Sequence, residues 1–142
     1  DIILPKSSPL SAGDNLFSQY LRQHDSAPLF RILAILAEVD DNLGKRAYQF
    51  FTQTKEGYWN NMFITRWEVF DRYCQFLFPL LERLEDEVQV PESSYQRRIY
   101  AFLSERLFNF WLASQQIAGI RVSWCVIEES LSIREPHHIN HP

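Results

Sequence analysis

The sequence predicts a helix-dominated α/β domain, and three observations carry that expectation. Apolar residues recur at three- and four-residue steps through most of the chain, the period of helices with one face on a core. A few short stretches break that period with aromatic and β-branched residues, as strands do. The chain has 142 residues, 46% hydrophobic and 15% aromatic, enough to bury one real core. One domain is expected over residues 1–135, with a loose tail over 136–142.

The elements follow in order. Asp1 to Leu4 reads as a short buried strand stopped by Pro5, and Lys6 to Gly13 as a loop on its Ser, Pro and Gly content. Asp14 to His24 reads as a helix with Leu16, Phe17, Tyr20 and Leu21 on one face. Ser26 is placed to cap a second helix, with Pro28 tolerated in its first turn and Leu29, Ile32, Leu33 and Leu36 inward. Asp40 or Asp41 caps a third, carrying Leu43, Ala47, Phe50 and Phe51. Lys55 to Gly57 reads as a turn, and Tyr58 to Thr65 as a strand. Trp67 to Val88 is a long helix with Trp67, Phe70, Cys74, Leu77, Leu81 and Leu84 inward. Pro79 should kink or split it, because its ring removes a backbone bond. After a break at Val90-Pro91-Glu92, Ser93 or Ser94 caps a last helix that runs to about Leu112. Gly119 ends that region, and Arg121 to Ile127 forms a final strand. Ile2–Leu4, Asn60–Ile64 and Val122–Ile127 are expected to share one small sheet. Such short strands suit a sheet completed by others upstream.

The bulk properties exclude several functions. A net charge of -4 leaves no basic excess to neutralise phosphates, which argues against a general nucleic-acid binder. No apolar run reaches the ~18–20 residues that span a bilayer. With neither an initiator Met nor a signal peptide, the chain reads as part of something longer. Cys74 and Cys125 are unpatterned and suit buried thiols of a reducing compartment, hence a cytoplasmic protein, at most peripheral to the inner membrane. There is no phosphate-binding Gly-rich loop, no CxxC and no HExxH. His137, His138 and His141 crowd the tail, and no physiological metal site is expected there.

The last helix is the most informative segment. Ile99, Phe102, Leu103, Leu107, Phe110 and Trp111 make a core stripe, beside which Arg98, Glu105 and Asn109 line up. Arg106 falls inside the stripe, where a guanidinium needs partners. This is either an ordinary core helix with flanking ion pairs or a helix whose polar line faces a site. His24, followed by Asp25, extends the face of the first helix, unless it is simply a helix-end histidine favoured by the dipole. Asn60 and Asn61 sit in an apolar stretch where amides need partners. Tyr58 and Trp59 beside them offer flat rings of the kind that stack on sugars.

DIILPK at the start, the His24-Asp25 pair, NMFI at 61–64, FDRYCQFLFPLLERLE and YQRRIYAFLSERLFNFWL together resemble a bacterial domain-of-unknown-function family of glycosyltransferases from capsular and exopolysaccharide clusters. The resemblance runs from Asp1 to about Glu128, with NMFI and SERLFN its most specific parts. It implies the C-terminal part of a glycosyltransferase-A-like domain that uses a nucleotide-diphospho-sugar donor and a glycan acceptor. His24, Asp25, Asn61, Met62, Arg98, Glu105 and Arg106 match the family's recurrent positions. The implied roles are Glu105 as base or acceptor orienter and Arg98 or Arg106 on the diphosphate, with Asn61, Asn109 and Trp59 on sugar and His24 and Asp25 nearby. Ala101 stands where the family usually has glycine. No Asp-x-Asp motif occurs, so a divalent cation would be held by an upstream segment. The rival expectation is a non-enzymatic helical module that docks a partner domain.

Overall fold

The computed structural model describes residues 2–89, 95–115, 117 and 119–123. Two strands open the chain, β1 (Ile2–Pro5) and β2 (Ser8–Pro9). Three helices follow: α1 (Leu16–Gln23), α2 (Ser26–Val39) and α3 (Asp41–Gln53). Two short strands, β3 (Glu56–Gly57) and β4 (Ile64–Thr65), precede the long α4 (Trp67–Glu87). A 3-10 turn (Gln96–Arg98) leads into α5 (Ile99–Gln115), and β5 (Gly119–Val122) comes last. The architecture is helix-dominated α/β with small sheets, as the periodicity predicts.

Side chains set the helix starts. Asn15 and Ser18 form a capping box: Asn15 Oδ1 accepts the Ser18 N–H at 2.8 Å, and Ser18 Oγ accepts the Asn15 N–H at 3.0 Å. Asp14 stays outside the helix and pairs with Arg22. The cap of α2 is Asp25 rather than Ser26, accepting from Ala27 N–H at 3.1 Å. Asp40 caps α3, accepting from Leu43 N–H at 2.8 Å.

β1 is the middle strand of the larger sheet, in the order β4-β1-β5. It runs antiparallel to β4, with Ile3 opposite Ile64, and parallel to β5, with Ile3 opposite Ile120. The three expected strand regions thus meet in one sheet, but with different limits. Asn60 and Asn61 lie in a turn, leaving only Ile64–Thr65 extended. The last strand begins at Gly119, so that glycine opens an element instead of closing one; the expected continuation past Ser123 lies outside the described residues. Lys55 to Gly57 is not simply a turn, because Glu56–Gly57 pairs antiparallel with Ser8–Pro9 from the expected loop.

The face of α4 also needs correcting. Its buried residues are Val69, Tyr73, Leu77, Leu80 and Leu84, while Trp67 is 72% exposed and Phe70 is exposed too. Steps of four, four, three and four from Val69 make a cleaner stripe than one that starts on the larger aromatic. Pro79 does not split the helix: it sits on the exposed side, where water can take the backbone bond it cannot supply. Ser93 and Ser94, the expected caps of the last helix, lie outside the described residues.

The core draws on all five helices, with Ala47 and Phe51 of α3 among the side chains of α2, α4 and α5, and β1 adds Ile2 and Leu4 while α1 adds Leu16 and Tyr20. From Phe102 to Trp111 every residue of α5 is buried except the half-buried Glu105. A helix enclosed on nearly all sides must place its polar residues inside the protein too. That is why Ser104, Arg106 and Asn109 are 8%, 2% and 5% exposed, instead of lining a solvent face.

Candidate functional site

The polar residues of α5 meet the segment 58–61. Asn109 Oδ1 accepts the Tyr58 N–H at 2.8 Å, and its Nδ2 donates to the Tyr58 carbonyl at 2.9 Å and the Glu105 carbonyl at 2.7 Å. One turn earlier, Glu105 Oε1 accepts the Asn60 N–H at 2.9 Å. Ser104 Oγ accepts from Asn61 Nδ2 at 3.0 Å. Asn60 and Asn61 have φ of +66° and +47°. Two consecutive left-handed residues are costly for any L side chain, and asparagine tolerates them best. The bonds from Glu105 and Ser104 hold the chain in that turn.

Arg106 is the centre of a second cluster. Its guanidinium donates to the Phe102 carbonyl at 2.9 Å, to Glu105 Oε2 at 3.3 Å and to Gln19 Oε1. It lies 5.2 Å from the ring centroids of both Tyr20 and Trp59. Burial works against its charge, and Glu105 beside it works the other way. His24 stacks on Phe102 at 4.0 Å between centroids, with Tyr95 and Tyr20 also against it. Burial, helped by the Arg106 charge, lowers the His24 pKa from 6.5 to about 4. Burial pushes the Tyr20 phenol up. Tyr20 Oη, His24 Nδ1 and Arg106 Nε are buried without a hydrogen-bond partner among the described residues.

The structure therefore brings together Trp59, Asn61, Glu105, Arg106 and Asn109, with His24 joined to Arg106 through the Tyr20 ring that both contact. Two of the expected residues stand apart. Arg98 is exposed, 5.4 Å over the Phe102 ring, and makes no ion pair with Glu105 among the described residues. Asp25 caps α2. Sequence reasoning missed Tyr20, Ser104 and Gln19. Tyr20 carried a signal, since it stands four residues before His24 on the same helical face. Gln19 carried none: its partner Arg106 is 87 residues away.

A family model described as a domain of unknown function (DUF4422) matches residues 1–116. The chain belongs to this DUF4422 family. A solved structure titled as the apo form of the WbbM bifunctional glycosyltransferase is similar to the DUF4422 chain, with a TM-score of 0.73 and 25% identity over 87% of the chain. The match covers 23% of that protein, so the chain spans less than a quarter of its length. No curated protein matches. Among the described residues of the DUF4422 chain, no group of three or more His, Cys, Asp or Glu is placed to hold a metal ion. No described helix is long and apolar enough to cross a membrane.

Proposed function

We propose that this chain is the acceptor-side part of a sugar-nucleotide-dependent glycosyltransferase, acting on the cytoplasmic side in bacterial capsular, exopolysaccharide or lipopolysaccharide synthesis. An upstream half of the same polypeptide would supply the donor site and any divalent cation. The observation that carries this reading is Glu105, a half-buried carboxylate held between the Asn60 N–H and Arg106 beneath a left-handed turn. Backbone strain of that kind concentrates where function needs it. The likeness to a bifunctional glycosyltransferase supports the reaction class.

In the proposed reaction an acceptor hydroxyl oxygen attacks the anomeric carbon of the donor sugar. The bond from that carbon to the diphosphate breaks, and the hydroxyl proton passes to Glu105. Two partners leave Glu105 lone pairs to spare, since a carboxylate has about four acceptor positions. Arg98, being exposed, is the cation for the departing diphosphate. Trp59 and Asn61 contact sugar. Arg106 and Asn109 act as positioning residues, the first for Glu105 and Trp59 and the second for Tyr58. His24 shares the Tyr20 ring with Arg106, and Asp25 holds the start of α2 nearby.

The test is the full-length protein, screened for thermal stabilisation by a panel of nucleotide sugars with and without Mn²⁺, then assayed for donor consumption on adding glycan. Stabilisation by a nucleotide sugar and glycan-dependent turnover are expected. The absence of both would overturn the reading. A second reading, a non-enzymatic docking module, is favoured by one feature: Trp67, Ile64 and Ile120 are 72%, 70% and 64% exposed around the three-stranded sheet. A folded full-length protein with a stable partner and no turnover would support it.

A further inference from the structure

We propose that a cavity of about 220 Å³ between α3, β3 and α5 is the subsite for one neutral sugar ring of the acceptor, an inference that rests on the glycosyltransferase reading above. Its size is the first argument. Pockets for drug-sized molecules run roughly 300–1,000 Å³, so this one suits a single ring. Its volume equals roughly seven waters at about 30 Å³ each, which a ring would release.

The wall chemistry is the second argument. Phe50, Leu112 and Ile117 give an apolar side, and the Tyr58 ring adds an aromatic wall. Glu56 and the Thr54 hydroxyl stand at the polar side, and neither side chain has a partner among the described residues. Arg121 Nε donates to Tyr58 Oη at 2.5 Å, with the guanidinium 5.2 Å over the Tyr58 ring. A sugar ring has the matching halves, C–H faces and a rim of hydroxyls that both donate and accept. One carboxylate and one guanidinium nearly cancel in charge. A phosphate would meet Glu56 as well as Arg121, and a neutral polyol can use both.

Position is the third argument. Asn109, which lines the cavity, also pins the Tyr58 peptide through its two bonds, so the aromatic wall is set before any ligand arrives. Glu105 is one helical turn from Asn109, about 6 Å along the axis. Glu105 does not itself line the cavity, so a ring seated here lies one turn of α5 from the proposed base.

The experiment is saturation-transfer NMR on the full-length protein with a set of methyl hexosides at millimolar concentration. Two variants are compared with wild type: Ala113→Phe, which fills the cavity from α5, and Glu56→Gln, which removes a charge at its exposed edge. Melting temperatures establish that each is folded. Hexoside binding should be lost in Ala113→Phe and weakened about tenfold in Glu56→Gln, the usual effect of losing a bond to a charged group. If Ala113→Phe does not fold, Glu56→Gln decides alone. Equal binding by wild type and folded Glu56→Gln overturns the subsite. A wild-type protein that binds nucleotide sugars but no hexoside also overturns it, and leaves the glycosyltransferase reading standing. Binding of neither removes both.

Discussion

Asn109 pairs with Tyr58 as one strand pairs with another: its amide accepts the Tyr58 N–H at 2.8 Å and donates to the Tyr58 carbonyl at 2.9 Å. The two residues are 51 positions apart, and the pair fixes the 58–61 segment on α5. Asn109→Leu keeps the branched outline, with bulkier methyls, but leaves two backbone groups unpaired. A loss of about 1–3 kcal/mol is expected, the cost of stranding half-buried polar groups. Urea denaturation of the variant checks it; an unchanged midpoint would mean that water replaces the amide at no cost.

His24 sets a pH dependence. Its folded pKa is about 4 against an ordinary 6.5, through burial first and Arg106 second. Between those values the unfolded chain binds a proton that the folded chain refuses. Stability is then full above pH 6.5 and falls as the pH drops toward 4, by on the order of 1–3 kcal/mol. Carboxylates such as Asp14, held low by Arg22, lose their contribution at still lower pH. His24→Phe should flatten the slope between pH 6.5 and 4 and leave the more acidic loss in place. Matching slopes for wild type and variant would remove His24 as the cause.

Trp111 is 2% exposed and lies 5.1 Å from Tyr73 between ring centroids. Trp111→Ala should cost ~3–5 kcal/mol, the range for deleting a large core aromatic. A denaturant midpoint implying under ~1 kcal/mol would contradict that burial.

Gly44 marks the close crossing of α2 and α3. A Cβ there would stand 2.5 Å from the Ala37 Cβ, too near for either backbone to ignore. Gly44→Ala should therefore destabilise by about 1–3 kcal/mol, although alanine is the better helix former. A higher melting temperature in the variant would show that the helices can part without penalty.

The helices were legible because their causes are local. Asp40 caps α3 from the adjacent residue, and Leu29, Ile32 and Leu36 repeat at the period that buries them. The 58–61 segment was not legible as a turn. Its aromatic and β-branched neighbours read as strand, and the left-handed Asn60 and Asn61 are held by Glu105 and Ser104, which only the fold brings near. On α5 the unusual residues could be named from their spacing, but not their surroundings. Spacing separates an apolar stripe from a polar line; it cannot tell that Asn109 and Arg106 are enclosed with the stripe while Arg98 stays exposed. Trp67 misled for a related reason: a large aromatic at a helix start draws the inward face toward itself, and here it is 72% exposed.

Glu105→Gln in the full-length protein tests the central claim most directly, with melting temperature and turnover of a nucleotide sugar into glycan product measured on the same sample. The amide can still accept the Asn60 N–H and cannot take a proton from an acceptor hydroxyl. The glycosyltransferase account predicts turnover per folded molecule reduced by ~10²–10⁴, the range for losing a general base, with the melting temperature lowered because the buried Arg106 loses its carboxylate partner. A folded variant with full turnover would contradict it and leave Glu105 as a brace for the loop.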